Sequence, residues 1–138
     1  MDSTSKDLIG IKEVQVFGEK SIKIYGVLGV NYSKSFYWSF EKEFQNSIIQ
    51  IEGNTKEVDL DGDSKQEIIS TIGTIPETEI YKSEEGEILV SNINKSIGAK
   101  SVIMSDRDSK LFDVYFEPNK LEQYSYYKGV FKKESYFK

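Results

Sequence analysis

The sequence predicts an all-β, mostly antiparallel protein built from about three blade-like β-hairpin units. The first observation is composition: the 138 residues include nine tyrosines and eight phenylalanines besides many isoleucines and valines, and these residues favour strands. The second is alternation of apolar and polar residues, as at Phe112, Val114 and Phe116, which indicates strands with one buried face. The third is a degenerate internal repeat.

The repeat appears in three independent matches of similar spacing. "EIYKSEEGE" (79–87) matches "EQYSYYKGV" (122–130) at an offset of 43, Tyr37 precedes Tyr81 by 44, and "DSK" recurs at an offset of 45. An all-β unit of this length is typical of a propeller blade. We therefore predict one β domain over residues 1–138, with units at approximately 10–52, 53–98 and 99–138. Because a closed propeller needs at least about four blades, three units indicate a partial propeller or a rolled sheet.

Short strands separated by turn signals are expected along the whole chain. Val14 and Val16 alternate with polar residues, and so do Ile22 and Ile24. Turn signals lie between such runs, at 18–20, 31–33, 53–54, 84–86, 118–119 and 128–129. One short helix is predicted near residues 92–97, with Ser91 as its N-cap and Gly98 as its left-handed stop.

Composition excludes several classes of function. The chain has no cysteine and no histidine, which removes thiolate and imidazole metal sites and the Ser-His-Asp and Cys-His kinds of catalysis. A metal ion here must be held by oxygen ligands, which favours Ca²⁺, Mg²⁺ or Mn²⁺. The net charge of −5 argues against nucleic acid as a partner. No run of 18 apolar residues occurs, so no membrane span is predicted.

The acidic stretch "EVDLDGDSKQEI" (57–68) is the main candidate site. Numbered from Asp59, it places carboxylates at positions 1, 3, 5 and 9, with a lysine at position 7. A chain that coils around Ca²⁺ presents side-chain oxygens at such alternate positions, and a backbone carbonyl at position 7. The candidate metal ligands are therefore Asp59, Asp61, Asp63, the carbonyl of Lys65, and Glu67. Strand-like flanks and Ser70 at position 12 distinguish the stretch from an EF-hand.

The segment "DLDGDSKQEII" resembles the calcium loop of FG-GAP repeats, as in integrin α-chain propellers, and of related bacterial VCBS-type repeats. The resemblance implies that Asp59, Asp61, Asp63 and Glu67 are side-chain ligands and that a structural Ca²⁺ stiffens a loop between two strands. Ser64 departs from this pattern because the family has glycine there. A non-glycine residue with positive φ costs of order 1 kcal/mol.

Other interpretations of the acidic residues stay open. The alternative interpretation is an ion-free acidic turn, since Asp-Gly is a common turn dipeptide. Its later counterpart "SDRDSKLFD" (105–113) has lost a carboxylate and gained Arg107, so we expect no ion there. A pair of glutamates could serve a carboxylate-based hydrolase, the candidates being Glu41, Glu43, Glu77, Glu79, Glu84, Glu85 and Glu87.

Aromatic clusters suggest where a partner could bind. Phe36–Trp38 and Tyr124–Tyr127 could form a face for a carbohydrate or protein ligand, or could simply pack across strands in a β core. Open sheet edges also allow self-association through β edges.

The function expected from the sequence is that of a non-catalytic calcium-binding β-repeat module with a binding or scaffold role. The whole chain resembles small secreted or lipid-anchored proteins of Gram-positive bacteria, so we expect an extracellular or cell-surface location, with an export signal removed before Asp2. A cytoplasmic location is the alternative. The rival functions are a carboxylate-based hydrolase, an accessory or inhibitor protein, and a metal-free cytosolic β domain.

Overall fold

The computed structural model describes residues 9–29, 32–39, 48–85, 87–127 and 130–134. They form three four-stranded antiparallel sheets, each with its strands in sequence order. Sheet 1 contains β1 (Ile9–Val16), β2 (Glu19–Gly29), β3 (Tyr32–Ser39) and β4 (Ile48–Glu52). Sheet 2 contains β5 (Asn54–Val58), β6 (Glu67–Ile72), β7 (Glu77–Glu84) and β8 (Glu87–Asn92). Sheet 3 contains β9 (Ser101–Asp106), β10 (Leu111–Tyr115), β11 (Leu121–Tyr127) and β12 (Val130–Lys133).

Sheet 2 is the middle layer of the stack, as the burial of β6 shows. Glu67, Ile68, Ile69 and Ser70 are all buried, whereas a strand with one solvated face would alternate. Ile68 belongs to a cluster with residues of sheet 1, and Ile69 to a cluster with residues of sheet 3. The predicted class, a mostly antiparallel β protein of three units, is therefore confirmed.

The larger hydrophobic core lies between sheets 2 and 3. It contains large side chains that no solvent reaches, such as Phe112, and it is formed by Val58, Leu60, Ile69, Ile80, Ile93, Val102, Met104, Phe112, Val114 and Tyr126. Alternation explains the contribution of β10, because its residues are buried at every second position. This contact is the main apolar support for the acidic loop, since Leu60 of that loop is part of the core.

The contact between sheets 1 and 2 is smaller and includes a buried ion pair. Lys23 Nζ lies 2.8 Å from Glu57 Oε2 and donates a second hydrogen bond to the carbonyl oxygen of Thr55 at 3.2 Å. The hydroxyl of Tyr37, which is 1% exposed, donates to the same Glu57 oxygen. Burial lowers the pKa of Lys23, although Glu57 opposes the effect. Burial also raises the pKa of Tyr37 above its ordinary value.

The helix α1 (Ile93–Ile97) follows β8 directly, and its predicted position near 92–97 is confirmed. Its N-cap is Asn92 and not Ser91, because β8 continues through Asn92. The Oδ1 atom of Asn92 then accepts the N–H of Lys95 at 2.9 Å. Gly98 ends the helix with a φ of 73°, as predicted.

Cross-strand pairs show how the three sheets correspond. The second and third strands of each sheet pair a large apolar residue with an aromatic one. These pairs are Ile22 with Trp38 and Ile24 with Phe36 in sheet 1, Ile68 with Tyr81 in sheet 2, and Phe112 with Tyr124 in sheet 3. Tyr81 therefore corresponds by face to Phe36 or Trp38 and not to Tyr37. A shift of one residue in a strand exchanges its two faces, and Tyr37 faces sheet 2 whereas Trp38 faces away from it.

Candidate metal centre

The acidic loop connects β5 to β6 and is ordered by its first aspartate. The carboxylate of Asp59 accepts backbone N–H groups from Gly62 at 2.9 Å, Asp63 at 3.1 Å and Ser64 at 2.7 Å. Partial desolvation raises the pKa of Asp59, but these three donors outweigh it and lower the pKa below its ordinary value. Asp59 thus closes the turn.

The tight turn requires left-handed backbone at two places. Gly62 has a φ of 74° and Ser64 a φ of 70°. Ser64 is the residue at which the resemblance to calcium loops led us to expect glycine, and the structure places it in the conformation that favours glycine.

Three of the five predicted ligands converge. One carboxylate oxygen each from Asp61, Asp63 and Glu67 lie within 4.8 Å of one another. Asp59 is not in this group because its oxygens face the backbone of the turn. Lys65 donates its backbone N–H to Asp63 Oδ1 at 3.0 Å and thereby orients that side chain.

Glu67 is the buried member of the cluster, with 4% of its surface exposed. Its Oε1 accepts the N–H of Leu60 at 2.8 Å, which ties the start of β6 to the loop. Burial raises the pKa of Glu67 to about 7; the Leu60 N–H opposes the rise, and the negative charges of Asp61, Asp63 and Asp59 add to it. The loop therefore concentrates negative charge around a carboxylate that solvent reaches poorly.

Lys82 of β7 is a member of the site that the sequence did not reveal. Its Nζ lies 3.2 Å from Asp61 Oδ2. Burial lowers the pKa of Lys82, but the hydrogen bond to Asp61 and the nearby negative groups raise it above its ordinary value. The other oxygen, Asp61 Oδ1, is buried, and no hydrogen-bond donor among the described residues reaches it. A buried carboxylate oxygen without a donor is unfavourable unless a cation or water compensates it.

A cavity of about 400 Å³ adjoins the cluster. Its lining is predominantly charged and consists of Phe17, Glu19, Asp61, Asp63, Lys65, Glu67, Lys82, Ser83, Glu84 and Glu85. Carboxylate oxygens without nitrogen or sulfur donors suit a hard cation such as Ca²⁺. The donor set and the unsatisfied Asp61 oxygen therefore fit a divalent ion.

The later counterpart of the loop is built differently. The guanidinium of Arg107 donates to the carbonyl oxygen of Glu57, through Nε at 3.2 Å and Nη2 at 2.5 Å. Asp113 accepts a hydrogen bond from Gln123 at 3.0 Å. Within the described part of the chain, the only group of three carboxylates close enough to share an ion is the one in the first loop.

The glutamates considered for hydrolysis lie in two places. Glu77 and Glu79 line a second cavity of about 440 Å³ together with Glu52, where Glu77 accepts from Asn92 at 2.8 Å and Glu79 accepts from the Tyr81 hydroxyl at 3.2 Å. Glu84 and Glu85 instead line the cavity beside the acidic loop, and Glu87 is exposed on β8. Glu41 and Glu43 lie outside the described residues, as does the leader before Ile9.

The aromatic clusters divide between the two faces of their strands. Tyr37 and Tyr126 are buried between sheets, whereas Trp38 and Tyr127 are exposed by 41% and 65%. Packing within the β core therefore accounts for Tyr37 and Tyr126, whereas Trp38 and Tyr127 form exposed aromatic surface.

These features define a class of protein: a stack of three four-stranded β-meanders with an acidic loop between two strands of the middle sheet. Comparison with family models, with curated proteins and with solved structures finds no match for the chain. Among the described residues, no helix has the length and apolar character needed to cross a membrane.

Proposed function

We propose that this chain is a non-catalytic β-repeat module that binds a structural Ca²⁺ ion through Asp61, Asp63 and Glu67. The observation that carries the proposal is the buried, unsatisfied Oδ1 of Asp61 beside two further carboxylates. An ion there would satisfy this oxygen and neutralise the repulsion within the cluster. Backbone carbonyls and water would complete a coordination shell of six to eight oxygens, which is usual for Ca²⁺.

The remaining predicted ligands have supporting roles in this proposal. Asp59 orders the turn through its three backbone bonds, and Lys65 orients Asp63 through its N–H. The position of the loop between β5 and β6 agrees with the resemblance to FG-GAP and VCBS-type repeats, whose calcium loops link two strands. The ion would stiffen this connection, which is anchored on one side by Leu60 in the core.

We also propose that the site binds Ca²⁺ weakly, and this weak affinity indicates where the protein is located. The ammonium of Lys82 already pairs with Asp61, so an incoming ion competes with a tethered cation. Extracellular calcium modules have dissociation constants of about 10⁻⁴ to 10⁻³ M, a range that suits such a site. We therefore propose an exported or cell-surface module with a binding or scaffold role.

The test is calorimetric titration and thermal melting of the full chain with CaCl₂, MgCl₂ or a chelator. Calcium at about 100 times its dissociation constant should add roughly 2.7 kcal/mol to the free energy of unfolding. Asp61→Asn should abolish this gain. Asp113→Asn, the same change on strand β10 in the later counterpart of the acidic segment, should preserve it. If the unaltered chain melts at the same temperature in calcium and in chelator, the proposal is wrong and the chain is a metal-free β domain.

Lys82→Met separates ion binding from general effects on the loop. Lys82 is not a ligand in the proposal, and its removal takes away the competing ammonium and leaves Asp61 without its salt bridge. We expect the variant to bind calcium more tightly and to be less stable than the unaltered protein in chelator. Weaker calcium binding by Lys82→Met would contradict the idea that Lys82 and calcium compete for Asp61.

A further inference from the structure

A cavity of about 230 Å³ lies between sheet 1 and the start of β5. Within the described part of the chain, its lining contains the lysines Lys12, Lys23 and Lys34 and no carboxylate. The chain has a net charge of −5, and the two larger cavities described above are lined by glutamates. The lysine-lined cavity shares no lining residue with the cavity beside the acidic loop, so it is a separate site.

Lys12 and Lys23 bring two positive charges to the same face of sheet 1. They lie directly opposite each other in the pairing of β1 with β2, and like charges in this arrangement are destabilising. Their ammonium groups lie 5.7 Å and 5.3 Å from the centre of the Tyr25 ring, which attracts each of them. The ring lies against Gly10, where a side chain would collide with it. Tyr25 thus holds both ammonium groups beside the cavity.

Lys23 has one N–H group left for a ligand. Its ammonium group carries three donors, of which one binds Glu57 and one binds the carbonyl oxygen of Thr55. No acceptor among the described residues takes the third, although Lys23 is only 5% exposed, and a buried donor without an acceptor is costly. Burial lowers the pKa of Lys23, Glu57 opposes this effect, and the charge of Lys12 lowers the pKa further. An anion at this place would stabilise both ammonium groups.

Further donors at the cavity also lack acceptors. Lys12 forms no salt bridge with a carboxylate of the described residues. Ser33 donates its hydroxyl to Asn54 Oδ1 at 3.0 Å, and this contact leaves the amide N–H groups of Asn54 for another acceptor. The backbone N–H of Gly53 binds the carbonyl oxygen of Ser33 at 2.8 Å and keeps the two segments together. The cavity therefore presents donors from Lys12, Lys23 and Asn54.

We propose that this cavity binds a small phosphomonoester, with its phosphoryl group at the ammonium groups of Lys12 and Lys23. A phosphomonoester carries a charge of about −1.5 to −2 at neutral pH and three acceptor oxygens, which match two ammonium groups and the amide of Asn54. The cavity is smaller than the roughly 300–1,000 Å³ of pockets for drug-sized ligands, so the organic part of the ligand is small. This binding does not depend on the calcium ion proposed above, because the two cavities share no residue.

Calorimetric titration of the full chain with glycerol phosphate, in chelator and at constant ionic strength, tests the proposal. We expect one molecule to bind per chain, and we expect glycerol, the neutral counterpart, not to bind. Lys12→Met should weaken the binding about tenfold or more, because a charge-assisted contact is lost. Lys56→Met is the matched control and should bind like the unaltered chain. Lys56 is also exposed, but it lies opposite Ile69, which faces sheet 3.

Nuclear magnetic resonance of the unaltered chain supplies a test that needs no variant. Glycerol phosphate should shift the backbone amide signals of Lys12, Lys23 and Asn54 and leave the signal of Asp61 unchanged. This measurement decides the question if Lys12→Met does not fold.

Three results would overturn the proposal: glycerol phosphate does not bind, Lys12→Met binds it as tightly as the unaltered chain, or Lys12→Met and Lys56→Met lose affinity equally. Sodium acetate is the carboxylate comparison. If acetate binds as tightly as glycerol phosphate, the assignment to a phosphoryl group is wrong and the cavity binds carboxylates.

Discussion

Glu67→Gln is expected to stabilise the ion-free protein at pH 8 while removing its response to calcium. Glutamine has the shape of a protonated glutamate, so it keeps an acceptor for the N–H of Leu60. It also places an amide donor in the cluster, where one oxygen of each carboxylate lies within 4.8 Å of the others. It carries no charge in a cluster that is already negative. The same loss of charge weakens a Ca²⁺ site.

The magnitude follows from the pKa of Glu67. Burial raises this pKa from 4.5 to about 7, so the folded state binds the proton more tightly than the unfolded state. The stabilisation is complete below pH 4.5 and is lost as the pH rises through 7. A difference of about 2.5 units at about 1.36 kcal/mol each corresponds to at most about 3 kcal/mol. Glutamine does not lose this contribution, so the variant should be more stable by up to that amount at pH 8 and equally stable at pH 4.

Urea unfolding at pH 4, 6 and 8, in chelator and in calcium, measures both effects. In chelator the advantage of Glu67→Gln should grow with pH, whereas in calcium at pH 8 it should shrink or reverse because only the unaltered chain gains from the ion. Glu117→Gln removes one negative charge from an exposed side chain and is the control for net charge. A constant difference between Glu67→Gln and the unaltered chain across this pH range in chelator would refute the reasoning.

Three further predictions concern folding, and urea unfolding measures each of them. Lys23→Met should cost about 3 kcal/mol because it leaves Glu57 buried without its cation, and adding Glu57→Gln should recover part of the loss; equal stability of the single and double variants would contradict this. Ser64→Gly should stabilise by about 0.5–1 kcal/mol, since Ser64 has a φ of 70°, and should tighten calcium binding; a less stable variant would show that the loop is not strained. Gly53→Ala should destabilise the protein far more than Gly62→Ala. A Cβ atom at Gly53 would lie 2.7 Å from a backbone oxygen of β6, whereas a Cβ atom at Gly62 would have no atom within 4 Å. Equal losses of stability in the two variants would contradict this explanation.

The candidate site was predictable in part. The spacing of carboxylates identified the loop and its strand-like flanks, because these are local properties of about twelve residues. The spacing of the carboxylates did not predict which of them converge. Asp59 accepts three backbone bonds and Asp61 pairs with Lys82, and Lys82 lies on a different strand. Only the pairing of β6 with β7 brings it to the loop.

The sequence by itself determined the class of fold, the number of β units and the place of the helix. Alternation, turn residues and spacing are short-range signals that act within one strand or hairpin. The tertiary structure alone decided that sheet 2 is the middle layer, that Glu67 is buried, and that Lys23 pairs with Glu57. It also decided which residue of the Tyr37–Trp38 pair faces inwards. These properties depend on sheets packing face to face, and a shift of one residue reverses a face without changing the alternation from which a strand is predicted.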